Sequence, residues 1–286
     1  MSKIAQAFAK AAQPLSEGNG GGIHSRRSGG GLGAAPPINT KKAFIAFITG
    51  GFPDIPTTEE IIIALAESGV DLIEIGIPFS DPVAEGPVIQ DASEKALQNG
   101  CTVDDLFAMV KRLRREVTIP LVFMSYLNPI FVYGKDKFFA ECQKSGISGV
   151  IVPDLPHEEK AELSAECKKY GIAQIPLIAP TSGDRIAKIA KDAEGFIYCV
   201  SSLGVTGTRE EIAEGVAEMV KAAKAVTSTP CAVGFGISTP AQAKEIAALA
   251  DGVIIGSAIV KIIAEHGKNC IAPVKQFAQQ ISDALR

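Results

Sequence analysis

Signatures of metal binding and dithiol chemistry are missing from this 286-residue sequence. Its six cysteines (Cys101, Cys142, Cys167, Cys199, Cys231 and Cys270) form no CxxC pair. No histidine stands at metal-ligand spacing from them. The thiols are therefore expected to be reduced and mostly buried in a core. The three histidines, His24, His157 and His266, are scattered and are expected on surfaces or loops. No apolar run approaches the ~18 residues of a membrane span. The N-terminus lacks the continuous apolar stretch of a secretory signal, so a cytoplasmic location is expected. A basic excess is also missing: the formal net charge is −4. That argues against nucleic acid as a main partner. It leaves open a small phosphorylated ligand, which backbone N–H groups can hold.

What is present is a large apolar fraction, 47%, and a regular rhythm. Residues 2–12 read as a short amphipathic helix with Ile4, Phe8 and Ala11 on one side. Residues 13–40 are rich in glycine and carry Pro36 and Pro37 near their end. Such a composition buries too little apolar surface to offset chain entropy, and a flexible linker is expected there. From residue 43 onward, apolar runs recur at 43–49, 71–77, 120–125, 149–153, 173–178, 195–200, 231–236 and 252–256. Helical patterns fall between them, at 57–67, 92–97, 103–115, 136–144, 158–169, 184–191, 210–226 and 240–249. Two more, at 258–265 and 273–285, close the chain. The runs are short, rich in Ile, Val and Phe, and do not alternate strictly, as befits strands buried on both faces. Gly69, Gly146 and Gly171 follow helical patterns, where glycine adopts the left-handed conformation without strain. Eight strand–helix units in alternation predict one (β/α)8 TIM barrel spanning 43–286, with the N-terminal helix added to it. An open doubly wound sheet would need a GxGxxG fingerprint after its first strand; Gly50-Gly51-Phe52-Pro53 does not supply one.

In such a barrel, chemistry belongs at the C-terminal strand ends and the loops after them. Glu74 interrupts the second apolar run, where a carboxylate is costly to bury without a task or a partner. Facing inward, it would have its pKa raised toward the range useful for proton transfer; bonded to neighbouring backbone, it would be structural. The next loop holds Asp81 and Glu85, with Pro82, Pro87 and Gly86 fixing its shape; an ordinary polar turn is the other reading. The sixth run ends in a Gly- and Thr-rich stretch whose N–H groups can face an anion. The seventh run ends at Gly234-Phe235-Gly236, and the eighth at Gly256-Ser257, directly before a helix. Barrels often build a phosphate site from their last two loops and a helix N-terminus. The residues alone thus point to acid–base chemistry on a small phosphorylated substrate and do not identify it.

The stretch LIEIGIPFSDPVAEGPVIQ (72–90) closely resembles the signature of tryptophan synthase α subunits. YCVSSLGVTG (198–207), GFGIS (234–238), IIGSAIVKII (254–263), FITGGFPD (47–54), SYLNPIFVYG (125–134), PDLPHEE (153–159) and the opening SKIAQAFAKA are similar to family text too. Only the glycine-rich segment stands outside the resemblance. It implies a carbon–carbon lyase that splits indole-3-glycerol phosphate into indole and glyceraldehyde 3-phosphate by retro-aldol chemistry. Glu74 matches the family's catalytic carboxylate. Glu85 matches a second acidic residue, commonly Asp, that accepts the indole N–H. Tyr198 matches a tyrosine beside the catalytic carboxylate. Gly207, Gly236, Gly256 and Ser257 match phosphate-binding positions, and Thr206 a mobile-loop residue. The resemblance also implies a pyridoxal-phosphate β subunit as partner in an α2β2 heterotetramer, with no cofactor in this chain. Asn128, Pro129 and Pro156 lie where the family contacts that partner.

Other readings are another phosphate-binding barrel enzyme, a stand-alone indole-releasing lyase, and a weakly active subunit that mainly activates β. A metal-dependent epimerase would show His and Asp ligands at strand ends. An indole-glycerol-phosphate synthase would need a lysine at an early strand end, whereas Lys41 and Lys42 precede the first run.

Overall fold

The first apolar run is buried along its whole length, as a strand covered on both faces must be. It forms β1 (Ala43–Thr49) of a parallel sheet whose other members are β2 (Leu72–Gly76), β3 (Leu121–Met124), β4 (Gly149–Ile151), β5 (Ala173–Ile175), β6 (Leu177–Ile178), β7 (Ile197–Val200), β8 (Cys231–Gly234) and β9 (Gly252–Ile255). The computed structural model describes residues 1–13, 41–201, 209–234 and 236–286. Strand order is β5-β4-β3-β2-β1-β9-β8-β7-β6. β5 and β6 come from one apolar run divided at Pro176, which has no N–H to give to a ladder. The Pro176 carbonyl still accepts from Tyr198 N at 2.9 Å. The two ends of the sheet therefore meet on the same stretch of chain, and the architecture is the expected TIM barrel.

The helices are α1 (Lys3–Ala11), α2 (Ile55–Glu67), α3 (Pro87–Gln98), α4 (Val103–Leu113), α5 (Leu127–Tyr133), α6 (Lys135–Ser145), α7 (Ala161–Tyr170), α8 (Arg185–Lys191), α9 (Arg209–Lys224), α10 (Pro240–Ala247), α11 (Ser257–His266) and α12 (Ile271–Ala284). Gly146 and Gly171 end α6 and α7 in the left-handed conformation, as expected of them. The pattern at 158–169 divides into a 3-10 turn, His157–Glu159, and α7. α5 was not legible: its apolar residues surround the helix, and Pro129 suggests a break. Proline is tolerated there because a first-turn N–H has no intrahelical partner.

Among the described residues three apolar clusters make the core. Two pack outer strand faces against the helices, one with Ile48, Ile75 and Phe123 among its members and one with Ile186, Ile197, Val216 and Val233. The inner one fills the barrel and includes Ile45, Leu72, Val122, Ile151 and Phe196. α1 belongs to the inner cluster through Ile4, Phe8 and Ala11, and so plugs the bottom. Glycine makes room for it: a Cβ on Gly252 would sit 3.2 Å from the Phe8 ring. Burying Ile4 and Phe8 contributes about 1.5–3 kcal/mol each. Five of the six cysteines are buried, and all six are free thiols. Of the linker expected at 13–40, residues 14–40 lie outside the described residues.

Candidate active site

β2 carries one charge among apolar neighbours. Its register sets Glu74 beside Phe47 of β1 and Val122 of β3. Leu72 points into the inner cluster, so Glu74, two residues on, faces the same interior nearer the mouth. The side chain is fully buried, and among the described residues neither carboxylate oxygen has a hydrogen-bond partner. Burial without a partner penalises the charged form and raises the pKa from 4.5 to about 8. At neutral pH this group is a protonated acid with a proton to give.

Tyr198 sits across the barrel on β7, four strands from β2 in the sheet order. Its ring rises above a column of aromatics: Phe8 to Phe196 is 5.7 Å and Phe196 to Tyr198 is 6.4 Å between centroids. Burial holds the phenol well above its ordinary pKa, and the charges of Glu74 and Glu85 push in the same direction. The three groups share one electrostatic field. The hydroxyl lies against Gly234, where a Cβ would be 2.6 Å from it.

Glu85 lies in the loop between β2 and α3, half-buried. Burial raises its pKa; a hydrogen bond from Tyr126 and nearby backbone N–H groups oppose the rise, while Asp154 adds to it. Tyr126 follows the end of β3 and escaped the sequence analysis. Its hydroxyl donates to Glu85 Oε2. It also accepts from Val83 N at 2.9 Å and Ala84 N at 2.8 Å. The only sequence signal for it was position: a tyrosine just past a strand's C-terminal end. Asp81 is exposed on the same loop, where it accepts from Ser80 Oγ.

Gly236, Gly256 and Ser257 lie together past the ends of the adjacent strands β8 and β9. Gly236 has φ +77°, a conformation that disfavours side chains. Gly256 is the N-cap of α11 and Ser257 its first residue; the N–H groups of that first turn point outward and attract anions. A Cβ on Gly256 would be 3.1 Å from the Phe47 ring. Phe47 therefore also borders the mouth, a placement the sequence did not reveal. Thr206 and Gly207 lie outside the described residues.

Lys41 and Lys42 are at the opposite end of the barrel. Lys41 Nζ bonds the Asp71 carboxylate at 2.9 Å, and Lys42 Nζ bonds Ala250 O at 2.9 Å. They cannot serve as a strand-end lysine. Among the described residues no cluster of His, Cys, Asp or Glu is arranged to hold a metal ion, and no helix is long and apolar enough to cross a membrane. Asn128 and Pro156 are exposed and Pro129 is half-buried.

The family model for the tryptophan synthase alpha chain matches residues 36–286. The tryptophan synthase alpha chain of Lacticaseibacillus casei is 48% identical over 251 residues, covering 88% of this chain and 94% of its own length. That of Geobacter sulfurreducens is 48% identical over 253 residues, with 86% and 94% covered. Among solved structures, tryptophan synthase subunit alpha from Legionella pneumophila superposes with TM-score 0.83 at 33% identity, covering 100% of this chain and 98% of its own. The aminoacrylate-bound tryptophan synthase of M. tuberculosis gives TM-score 0.82 at 30% identity, with 100% of each chain covered.

Proposed function

The chain belongs to the tryptophan synthase alpha chain family, and from that premise we propose that it cleaves indole-3-glycerol phosphate with Glu74 as its acid–base residue. The observation that carries the assignment is the bare, buried Glu74 carboxyl, protonated at neutral pH, beneath a barrel mouth bordered by Tyr198. Its proton goes to indole C3. Glu85 accepts the indole N–H as the ring becomes an indolenine and stabilises the positive charge. The bond between C3 and the glycerol carbon then breaks. Its electron pair returns to the ring, and the adjacent hydroxyl gives its proton to Glu74 as the aldehyde forms. Glu74 ends protonated, as it began. Water exclusion around Glu74 keeps this exchange within the site.

The substrate phosphate is held by Gly236, Gly256, Ser257 and the α11 N-terminus; the resemblance adds Gly207 as a phosphate-binding residue and Thr206 as a mobile-loop residue, both outside the described residues. Glycines admit the oxygens close to backbone N–H groups, and Ser257 adds a hydroxyl. The reaction needs no cofactor in this chain. Indole passes to a pyridoxal-phosphate β subunit, in an α2β2 assembly, that docks over Asn128, Pro129 and Pro156. Support for a partner on that face comes from Val83 at 81%, Phe131 at 43% and Val132 at 80% exposure, apolar side chains left in solvent around the mouth. The enzyme works in the cytoplasm.

The test is indole release from indole-3-glycerol phosphate by the purified chain, with and without a β subunit, beside Glu74→Gln. Slow release that rises strongly with β and vanishes in the variant is the expected result. Fast release without β would make the chain a stand-alone lyase, and no release in either condition would overturn the assignment.

A further inference from the structure

The loop that carries Glu85 is tied to the segment after β3 by the hydroxyl of Tyr126. That oxygen accepts from Val83 N at 2.9 Å and Ala84 N at 2.8 Å. A phenol oxygen has two lone pairs; with both engaged, its proton has one direction left, and there stands Glu85 Oε2. The phenol itself is held in place: the residue is 3% exposed, its ring packs on Phe79 at 5.2 Å between centroids, and the next residue's N–H is fixed by Asp154 at 3.0 Å. Backbone donors on the hydroxyl make it a stronger donor, since hydrogen bonds in a chain polarise one another.

We propose that Tyr126 is a positioning residue that fixes both the place of Glu85 and its role as acceptor. Resting on the reading of Glu85 as acceptor of the indole N–H, the proposal gives a reason for glutamate at this position. The longer side chain spans to an anchor just past the end of β3 and still lies at the mouth. Tyr126 never touches the reacting atoms; it acts by taking one carboxylate oxygen and leaving the other for substrate. Among the described residues, the groups that face Glu85 are Tyr126 from the end of β3, Asp154 from the loop after β4 and Tyr198 from β7. Of these Tyr126 favours the ionised form through its hydrogen bond, and Asp154 opposes it.

The experiment measures kcat, KM and the pH profile of indole release for the full-length chain, Tyr126→Phe, Glu85→Gln, Glu85→Asp and the Tyr126→Phe/Glu85→Asp pair. Tyr126→Phe should lower kcat about ten- to hundredfold, the range for losing a hydrogen bond to a charged group, with KM changed much less. Its acid limb should move to higher pH, because Glu85 loses the partner that favours its charge. Aspartate falls short of the hydroxyl, so in the Glu85→Asp background the same Tyr126→Phe change should cost little. Equal losses in both backgrounds, or an unmoved acid limb, would reduce Tyr126 to a structural residue and overturn the proposal. So would a kcat within about twofold of the parent. Full activity in Glu85→Gln would instead sink the reading of Glu85 on which it rests.

Discussion

Glu74→Gln should make the protein more stable, and more so as the pH rises. The parent carboxyl titrates near 4.5 when solvated and near 8 in the folded barrel. Between those values the folded chain binds a proton that the unfolded chain has released, so stability falls as pH rises. The loss is about 1.4 kcal/mol per pH unit. It reaches about 3 kcal/mol at pH 7 and about 5 kcal/mol above pH 8. Glutamine has nearly the same shape and never ionises. It still buries an amide without partners, so the pH dependence of the difference, rather than its absolute size, isolates the ionisation. Urea unfolding of parent and variant at about pH 5, 7 and 8.5 measures it. The two should be similar in stability near pH 5 and diverge steadily above. A difference that stays constant from pH 5 to 8.5 would refute the claim that this carboxyl is held neutral by burial.

Gly234→Ala places a methyl where the Tyr198 hydroxyl now lies, 2.6 Å away; the phenol must move, and kcat for indole release should fall by about tenfold or more. Phe8→Ala removes the base of the aromatic column and leaves a cavity in the inner cluster; urea unfolding should show a loss of about 3–5 kcal/mol. Replacing residues 14–40 by a short connection should leave turnover of indole-3-glycerol phosphate unchanged in a steady-state assay, since α1 plugs the barrel at the end away from the mouth. A large loss would give that segment a role in catalysis.

Strand positions were the most legible part of the fold, because a strand covered on both faces must be a short, dense apolar run; β1 was read residue for residue. Helix ends were less so. The 158–169 pattern gave no sign of the break at Lys160, and α5 hides its period behind exposed Phe131 and Val132. The division of the fifth run at Pro176 was written in the sequence as a proline and overlooked because the flanking residues are apolar. Glu74 was visible for an energetic reason: a lone carboxylate in an apolar run is expensive wherever it points. Tyr126 was not, since nothing local ties it to Glu85, 41 residues earlier; only the barrel brings the two strand ends together. Phe47 likewise looked like one more core residue until Gly76 and Gly256 were found making room for its ring.

The central claim is that a buried, protonated Glu74 supplies the proton for indole release, and the pH dependence of kcat tests it most directly. The first-order rate of indole formation at saturating indole-3-glycerol phosphate should hold through neutrality. It should then fall through an alkaline limb near pH 8, where the carboxyl loses its proton. A rate unchanged to about pH 9.5, in a protein that remains folded, would contradict the account.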